Sequence, residues 1–220
     1  NNAGFRKLPG TELKNAVTGQ VVYTPPQHPA DIERLMQNLV NYINDNAMCD
    51  ADPLVKMALI HHQFESIHPF YDGNGRTGRI INMLYLVSQG LLDLPILYLS
   101  RYLINTKSEY YRQLQAVRET NNWEAWVLYM LEGVVQTAQE TIELVKAIKM
   151  LMQDYKNRLR EKLPKIYSQE LLNNLFSHPY TKIEFVMNDL QVSRLTATKY
   201  LDQLVAIGLI KKEKIGRANY

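Results

Sequence analysis

Apolar positions recur along most of the chain at the spacing of helices, and the polar residues between them mark where those helices start and stop. From Asp31, the residues Ile32, Leu35, Met36, Leu39, Val40 and Ile43 share one face of an amphipathic helix. Asp52-Pro53 sets an N-cap acid before a proline at the first helical position, and Leu54, Val55, Ala58, Leu59 and His62 continue at helical spacing. Ile80, Ile81, Leu84, Tyr85 and Val87 predict a further helix that Gly90 closes. Ser100 to Val117 and Asn122 to Arg160 also read as helical, the latter from an N-cap at Asn121 or Asn122. In it Trp126, Met130, Val134, Ala138, Ile142, Val145, Ile148 and Met152 make one long apolar line. So long a pattern fits two helices, a rod joining two domains, or the surface of a homodimer.

The two ends depart from this pattern. The first thirty residues are broken by glycine and proline and carry a short β pattern at Gln20 to Tyr23, just before Pro25-Pro26, as in a surface hairpin. After Leu163-Pro164 the elements shorten. Ser168 to Phe176 reads as one helix, Thr181-x-x-Glu184 as a capping box opening a second, and Ser193 as the cap of a third that ends at Gly208. LIKKEK and a turn at Ile215-Gly216-Arg217 then read as a two-stranded wing, so this segment resembles a winged helix-turn-helix. The expectation is a mainly α chain: a helical core over residues 1–150, a linker helix over 151–164, and a small α+β winged-helix domain over 165–220.

Composition supports that division and adds limits. A chain of 220 residues with 46% hydrophobic content can form one large core and one small one. The longest apolar region, Ile80 to Leu99, is interrupted by Ser88, Gln89, Gly90, Asp93 and Pro95, and NNAGFRKLPG is not a signal peptide, so no membrane is expected. The single cysteine, Cys49, excludes a disulfide within the chain and fits a reducing, cytoplasmic compartment. The formal net charge of +3 falls entirely in residues 165–220, which hold eight Lys and Arg against five Asp and Glu. There Arg194, Thr196, Thr198, Lys199 and Gln203 would line a recognition helix, with Lys211, Lys212, Lys214 and Arg217 on or near DNA phosphates. The excess is modest for a DNA binder, and the same architecture also serves protein docking.

The densest chemistry lies in residues 68–79, HPFYDGNGRTGR. Gly73-x-Gly75-x-x-Gly78 has dinucleotide-turn spacing, with Asp93 about twenty residues on, but such a turn follows a strand and here the lead-in is a helix. The glycines instead let backbone N–H groups approach an anion, and the helix that opens near Arg76 adds the positive end of its dipole. Arg76 and Arg79, three apart, reach one side of that cradle and suit a polyphosphate. Asp72 can hold a divalent ion that bridges phosphate oxygens, and His68, where the first helix ends at Pro69, can act as a base. His61 and His62 lack the acid and spacing of a helical zinc motif and read as structural, and Trp123 and Trp126 read as core.

The stretch His68-Pro69-Phe70-Tyr71-Asp72-Gly73-Asn74-Gly75-Arg76-Thr77-Gly78-Arg79 resembles the Fic-domain signature H-P-F-x-[DE]-G-N-G-R-x-x-R at every specified position. HHQFESIHPF, LLDLPILYLS and EYYRQLQAVRETNNWEAWVLYMLEGV extend the resemblance over roughly residues 1–150. It implies a helical bundle with a β-hairpin flap that aligns a target segment by strand addition, and transfer of AMP from ATP, with Mg2+, to a hydroxyl side chain of a target protein or of the chain itself. By position, His68 resembles the general base and Asp72 the magnesium ligand. Gly73, Asn74 and Gly75 resemble the anion hole, Arg76 a phosphate contact, Arg79 a γ-phosphate contact, and Phe70 a buried anchor. Related phosphotransferases carry lysine where Gly75 stands, so the resemblance favours AMP transfer. A DNA-bound regulator that senses nucleotide, and a hydrolase that removes AMP with the same site, remain the alternatives. Many members carry an inhibitory helix of form [ST]-x-x-x-E-[GN]; the match at Thr120 to Glu124 is followed by Ala125 and falls after the core, so the expectation is a shortened chain with Arg79 free.

Overall fold

The structure, a computed structural model, describes residues 4–15, 18–215 and 218–219. The described residues are mainly helical, and the chain divides into two compact units, Asn1–Thr141 and Ile142–Tyr220.

In the first unit a short hairpin precedes the helices. β1 (Leu13–Lys14) pairs antiparallel with β2 (Val21–Tyr23), with Leu13 opposite Tyr23 and Lys14 opposite Val21 across an irregularity. Then come α1 (Pro29–Asn44), α2 (Pro53–Ile67), α3 (Asn74–Ser88), α4 (Ser100–Asn105), α5 (Lys107–Thr120) and α6 (Trp123–Lys162). Helix α2 is the centre of this unit. Asp52 caps it by accepting the Leu54 N–H at 2.8 Å, and Met57, Ala58, Ile60, Phe64 and Ile67 along it are at most 1% exposed. A helix buried on most of its circumference shows little amphipathic contrast, as α2 does. Trp126 of α6 is fully buried and donates its indole N–H to the Ala58 carbonyl at 2.9 Å, which fixes α6 to the middle of α2. Truncating such a tryptophan typically costs ~3–5 kcal/mol.

One helical boundary differs from the sequence pattern, and one open reading is resolved. The stretch from Ser100 is two helices, broken at Thr106 (φ −109°, ψ 31°), whose hydroxyl donates to the Tyr102 carbonyl at 2.8 Å and meets the Tyr129 hydroxyl at 2.7 Å. The stretch from Asn122 is one helix. Asn122 accepts from the Ala125 N–H at 3.4 Å, while Asn121, left-handed at φ 56°, closes α5. The apolar line of α6 packs on the core as far as Ala138, and Ile142, Val145 and Ile148 are then about half exposed.

The second unit packs α7 (Gln169–Ser177), α8 (Ile183–Leu190) and α9 (Arg194–Ala206) with the end of α6 around Leu159, Leu171, Leu172, Leu204 and Leu209. β3 (Lys214–Ile215) and β4 (Ala218–Asn219) pair antiparallel; the expected turn at Gly216-Arg217 lies outside the described residues. Ser168 and Ser193 cap α7 and α9 through the N–H groups of Leu171 (3.1 Å) and Thr196 (3.2 Å). The expected capping box at Thr181-Glu184 does not form. Lys182 is the N-cap, without a side-chain cap bond, and the Thr181 hydroxyl donates instead to Asn174 Oδ1 at 2.7 Å. Asn174 is only 4% exposed and donates in turn to Asp189 at 2.7 Å, so satisfying a buried amide outweighs a local cap. Among the described residues no helix is long and apolar enough to cross a membrane.

Candidate active site

The site is built where α2 ends and α3 begins. His68 is the C-cap of α2 in left-handed conformation (φ 50°, ψ 57°), its N–H bonded to the Phe64 carbonyl at 3.0 Å. Gly73, at φ 84°, is the N-cap of α3 and turns the chain into that helix. Between them Asn74 staples the loop. Its Nδ2 donates to the Phe70 carbonyl at 2.8 Å, its Oδ1 accepts the Phe70 N–H at 2.9 Å, and the residue is 3% exposed. Phe70 packs against Phe5 and Phe64, with ring centroids 5.7 and 6.3 Å away, as an anchor. Helix α3 starts two residues earlier than the arginine pattern suggests.

The Thr77 N–H to Gly73 carbonyl bond, 2.9 Å, is the first of α3, so the N–H groups of Asn74, Gly75 and Arg76 precede it without intrahelical partners. With the Asn74 side chain engaged in the loop, its backbone N–H is what it offers an anion. A Cβ at Gly75 would lie 3.1 Å from Arg79 Nη1, and one at Gly73 would lie 3.5 Å from Arg76 Nη2, so both glycines leave room beside a guanidinium. Arg76 and Arg79 line one cleft of about 200 Å³ with Ile80, Met83, Leu97, Tyr98, Leu99 and Ser100. His68 and Asp72 are not among its lining residues. Asp72 is solvent-exposed and accepts from Arg76 Nη2 at 3.2 Å, and the buried Arg79 Nε has no partner among the described residues.

Burial sets the electrostatics. It pushes the His68 imidazole below its ordinary range, with a hydrogen bond toward the Glu65 carbonyl opposing and the charges of Arg6 and Arg118 adding. Glu65 is pushed up to about 7 by burial, against the pull of Arg79 and Arg118. His61 and His62 are lowered to about 4 by burial, and His61 bonds Tyr110 at 3.0 Å, as structural histidines do. Among the described residues no group of three His, Cys, Asp or Glu could hold a metal ion by itself.

Three residues at the site escape motif reasoning. Arg6 donates to the carbonyl of His68, Arg118 stacks over Tyr23 at 3.7 Å and donates to Ser66 Oγ at 3.2 and 3.3 Å, and Glu65 is buried beneath Gly78. Arg6 and Arg118 lie far along the chain from the motif. Glu65, three residues before His68 on α2, was open to helical-spacing analysis.

A helix, a loop stapled by Asn74 and an arginine-bearing helix that opens on N–H groups without intrahelical partners meet in one place, and sequence comparison shows what the chain resembles there. Residues 3–86 match the Fic/DOC family and residues 151–220 match the C-terminal domain of SoFic-like protein adenylyltransferases. The chain is therefore similar to the Fic/DOC family over residues 3–86 and to a SoFic-like C-terminal domain over residues 151–220. It is 28% identical over 123 residues to protein adenylyltransferase fic-1 of Caenorhabditis elegans, covering 55% of this chain and 22% of that protein. It is 28% identical over 150 residues to protein adenylyltransferase Fic of Drosophila willistoni, covering 66% of this chain and 28% of that protein. The chain thus spans less than a third of the length of these curated relatives. A Fic family protein from Desulfovibrio desulfuricans G20 shares the fold, with a TM-score of 0.57 at 20% identity over 99% of this chain and 61% of that one.

Proposed function

We propose that the chain is a protein adenylyltransferase that moves AMP from ATP to a hydroxyl side chain of a target protein or of itself. The observation that carries this reading is the stapled loop, which holds a histidine of lowered basicity at one end and a free-N–H, two-arginine cradle at the other. The target hydroxyl oxygen forms a bond to the α-phosphorus, its proton passes to the His68 imidazole, and the bond from phosphorus to the oxygen bridging to the β-phosphate breaks. Pyrophosphate leaves toward Arg76 and Arg79, held in line by the N–H groups at Gly73, Asn74 and Gly75. The lone exposed carboxylate of Asp72 beside a phosphate cradle suits Mg2+, which takes one or two carboxylates and completes its shell with substrate phosphates and water. When bound, that ion would neutralise charge on the phosphates. The hairpin β1–β2 serves as the flap for the target segment.

By this reading residues 1–150 are the transferase core, 151–164 a linker and 165–220 a module of winged helix-turn-helix type, in a reducing, cytoplasmic setting that the lone free Cys49 suits. The second reading is a DNA-bound nucleotide sensor, supported by the cationic excess of the last segment. Arg194, Lys211 and Lys212 already face Glu184, Glu213 and Asp202 at 3.3–3.4 Å, which favours protein docking over DNA. Incubation of the chain with labelled ATP and cell lysate, followed by mass spectrometry, tests the proposal: AMP adducts on hydroxyl side chains support it. ATP binding without adducts, together with salt-sensitive duplex binding by the chain, supports the second reading. Release of AMP from an already modified protein would mark the hydrolase.

A further inference from the structure

Arg6 is fully buried, yet no carboxylate pairs with it among the described residues. Its Nε donates to the His68 carbonyl at 2.8 Å, and its Nη2 donates to the Ile67 carbonyl at 3.3 Å and to that of Pro26. Its backbone N–H donates to the Pro69 carbonyl at 2.8 Å. The neighbours follow the same course: Phe5 stacks on Phe70, and the N–H groups of Lys7 and Leu8 donate to the Tyr71 hydroxyl at 2.9 and 3.0 Å. Residues 5–8 therefore form a strap across the turn that contains His68.

A buried cation without an acid is costly, so a purely stabilising role accounts poorly for it. The last carbonyls of a helix lack intrahelical donors, and a left-handed residue with a side chain costs about 1–3 kcal/mol. The planar fork of Arg6 supplies donors to both Ile67 and His68 at that point and places a cation at the negative end of α2. We propose that Arg6 is a positioning residue, which holds the His68 backbone in its left-handed turn and so aims the imidazole at the target hydroxyl. This inference rests on the adenylyltransferase reading for its consequence and on geometry for its content. The charged groups facing the ring are Arg6 and Arg118, with Glu65 one turn back on α2, so loss of the Arg6 charge also raises the basicity of His68.

The test compares Arg6→Gln and Arg6→Lys with the parent chain in melting temperature, ATP affinity, transfer rate at saturating ATP and its pH profile. Arg6→Gln is expected to bind ATP as the parent does while its transfer rate falls about ten- to a hundredfold, and the acid limb of its profile moves to higher pH. Arg6→Lys keeps the charge and loses the fork, so its limb stays in place while its rate remains reduced. A folded Arg6→Gln chain with the parental rate and profile overturns the inference; should that variant not fold, a parental rate in Arg6→Lys overturns it and a reduced one supports it. If the parent itself transfers no AMP, the adenylyltransferase reading falls and the positioning claim is decided by NMR titration of the His68 imidazole. A raised pKa in Arg6→Gln but not in Arg6→Lys supports it, and superimposable curves for all three chains overturn it.

Discussion

The two units treat buried polarity in opposite ways. Around α2 and α3, Nη1 of Arg6, Nδ1 of His62, Oε1 of Glu65 and Nε of Arg79 are buried without partners among the described residues. In the second unit Asn174 is satisfied by Thr181 and Asp189, the ion pairs lie on the surface, and Gln203 supplies the one such orphan among the described residues. Each orphaned group typically costs ~1–3 kcal/mol, and folds tolerate such costs where a ligand or a reaction uses the groups. The contrast separates a unit that leaves buried polar groups unmet from one that satisfies nearly all of them.

Asn74→Ala is expected to show the largest effect. It removes both bonds of the staple and strands the Phe70 N–H and carbonyl, at a cost of about 2–4 kcal/mol, and it releases His68 from the cradle. Chemical denaturation and label transfer should fall together; an active, stable variant would dissolve the link between loop and site.

Next is pH. Glu65 is raised from 4.5 to about 7, so its contribution to folding is fully present below about 4.5 and is lost as pH rises through 7. His61 and His62, lowered from 6.5 to about 4, contribute fully above about 6.5 and lose it as pH falls through 4. Glu65→Gln should therefore gain melting temperature relative to the parent as pH goes from 5 to 8. A difference that is flat with pH would show that Glu65 is not the group responsible.

The smallest effect belongs to the second unit: Ser193→Ala should cost about 1 kcal/mol, the loss of one N-cap, and leave AMP transfer unchanged. A loss of transfer would tie that unit to the chemistry and break the contrast.

What could be read in advance follows the range of each interaction. The helix–loop–helix around His68, the caps at Asp52 and Ser193 and the burial of Trp126 depend on local spacing, and the structure bears them out. Thr181-Glu184 has the local form of a capping box, but the hydroxyl is taken by Asn174, seven residues away and buried by the fold. The break at Thr106 likewise depends on Tyr129, and the strap from Arg6 on a carbonyl at His68; neither partner is visible to periodicity. Motif reasoning also placed Asn74 among anion contacts without showing that its side chain closes the loop.

The central claim is that His68 serves proton transfer while the cradle serves binding. The direct measurement is ATP titration calorimetry and label transfer on His68→Ala beside the parent chain. The account predicts nucleotide affinity close to parental with transfer reduced by at least about a hundredfold. Parental transfer by His68→Ala would contradict it.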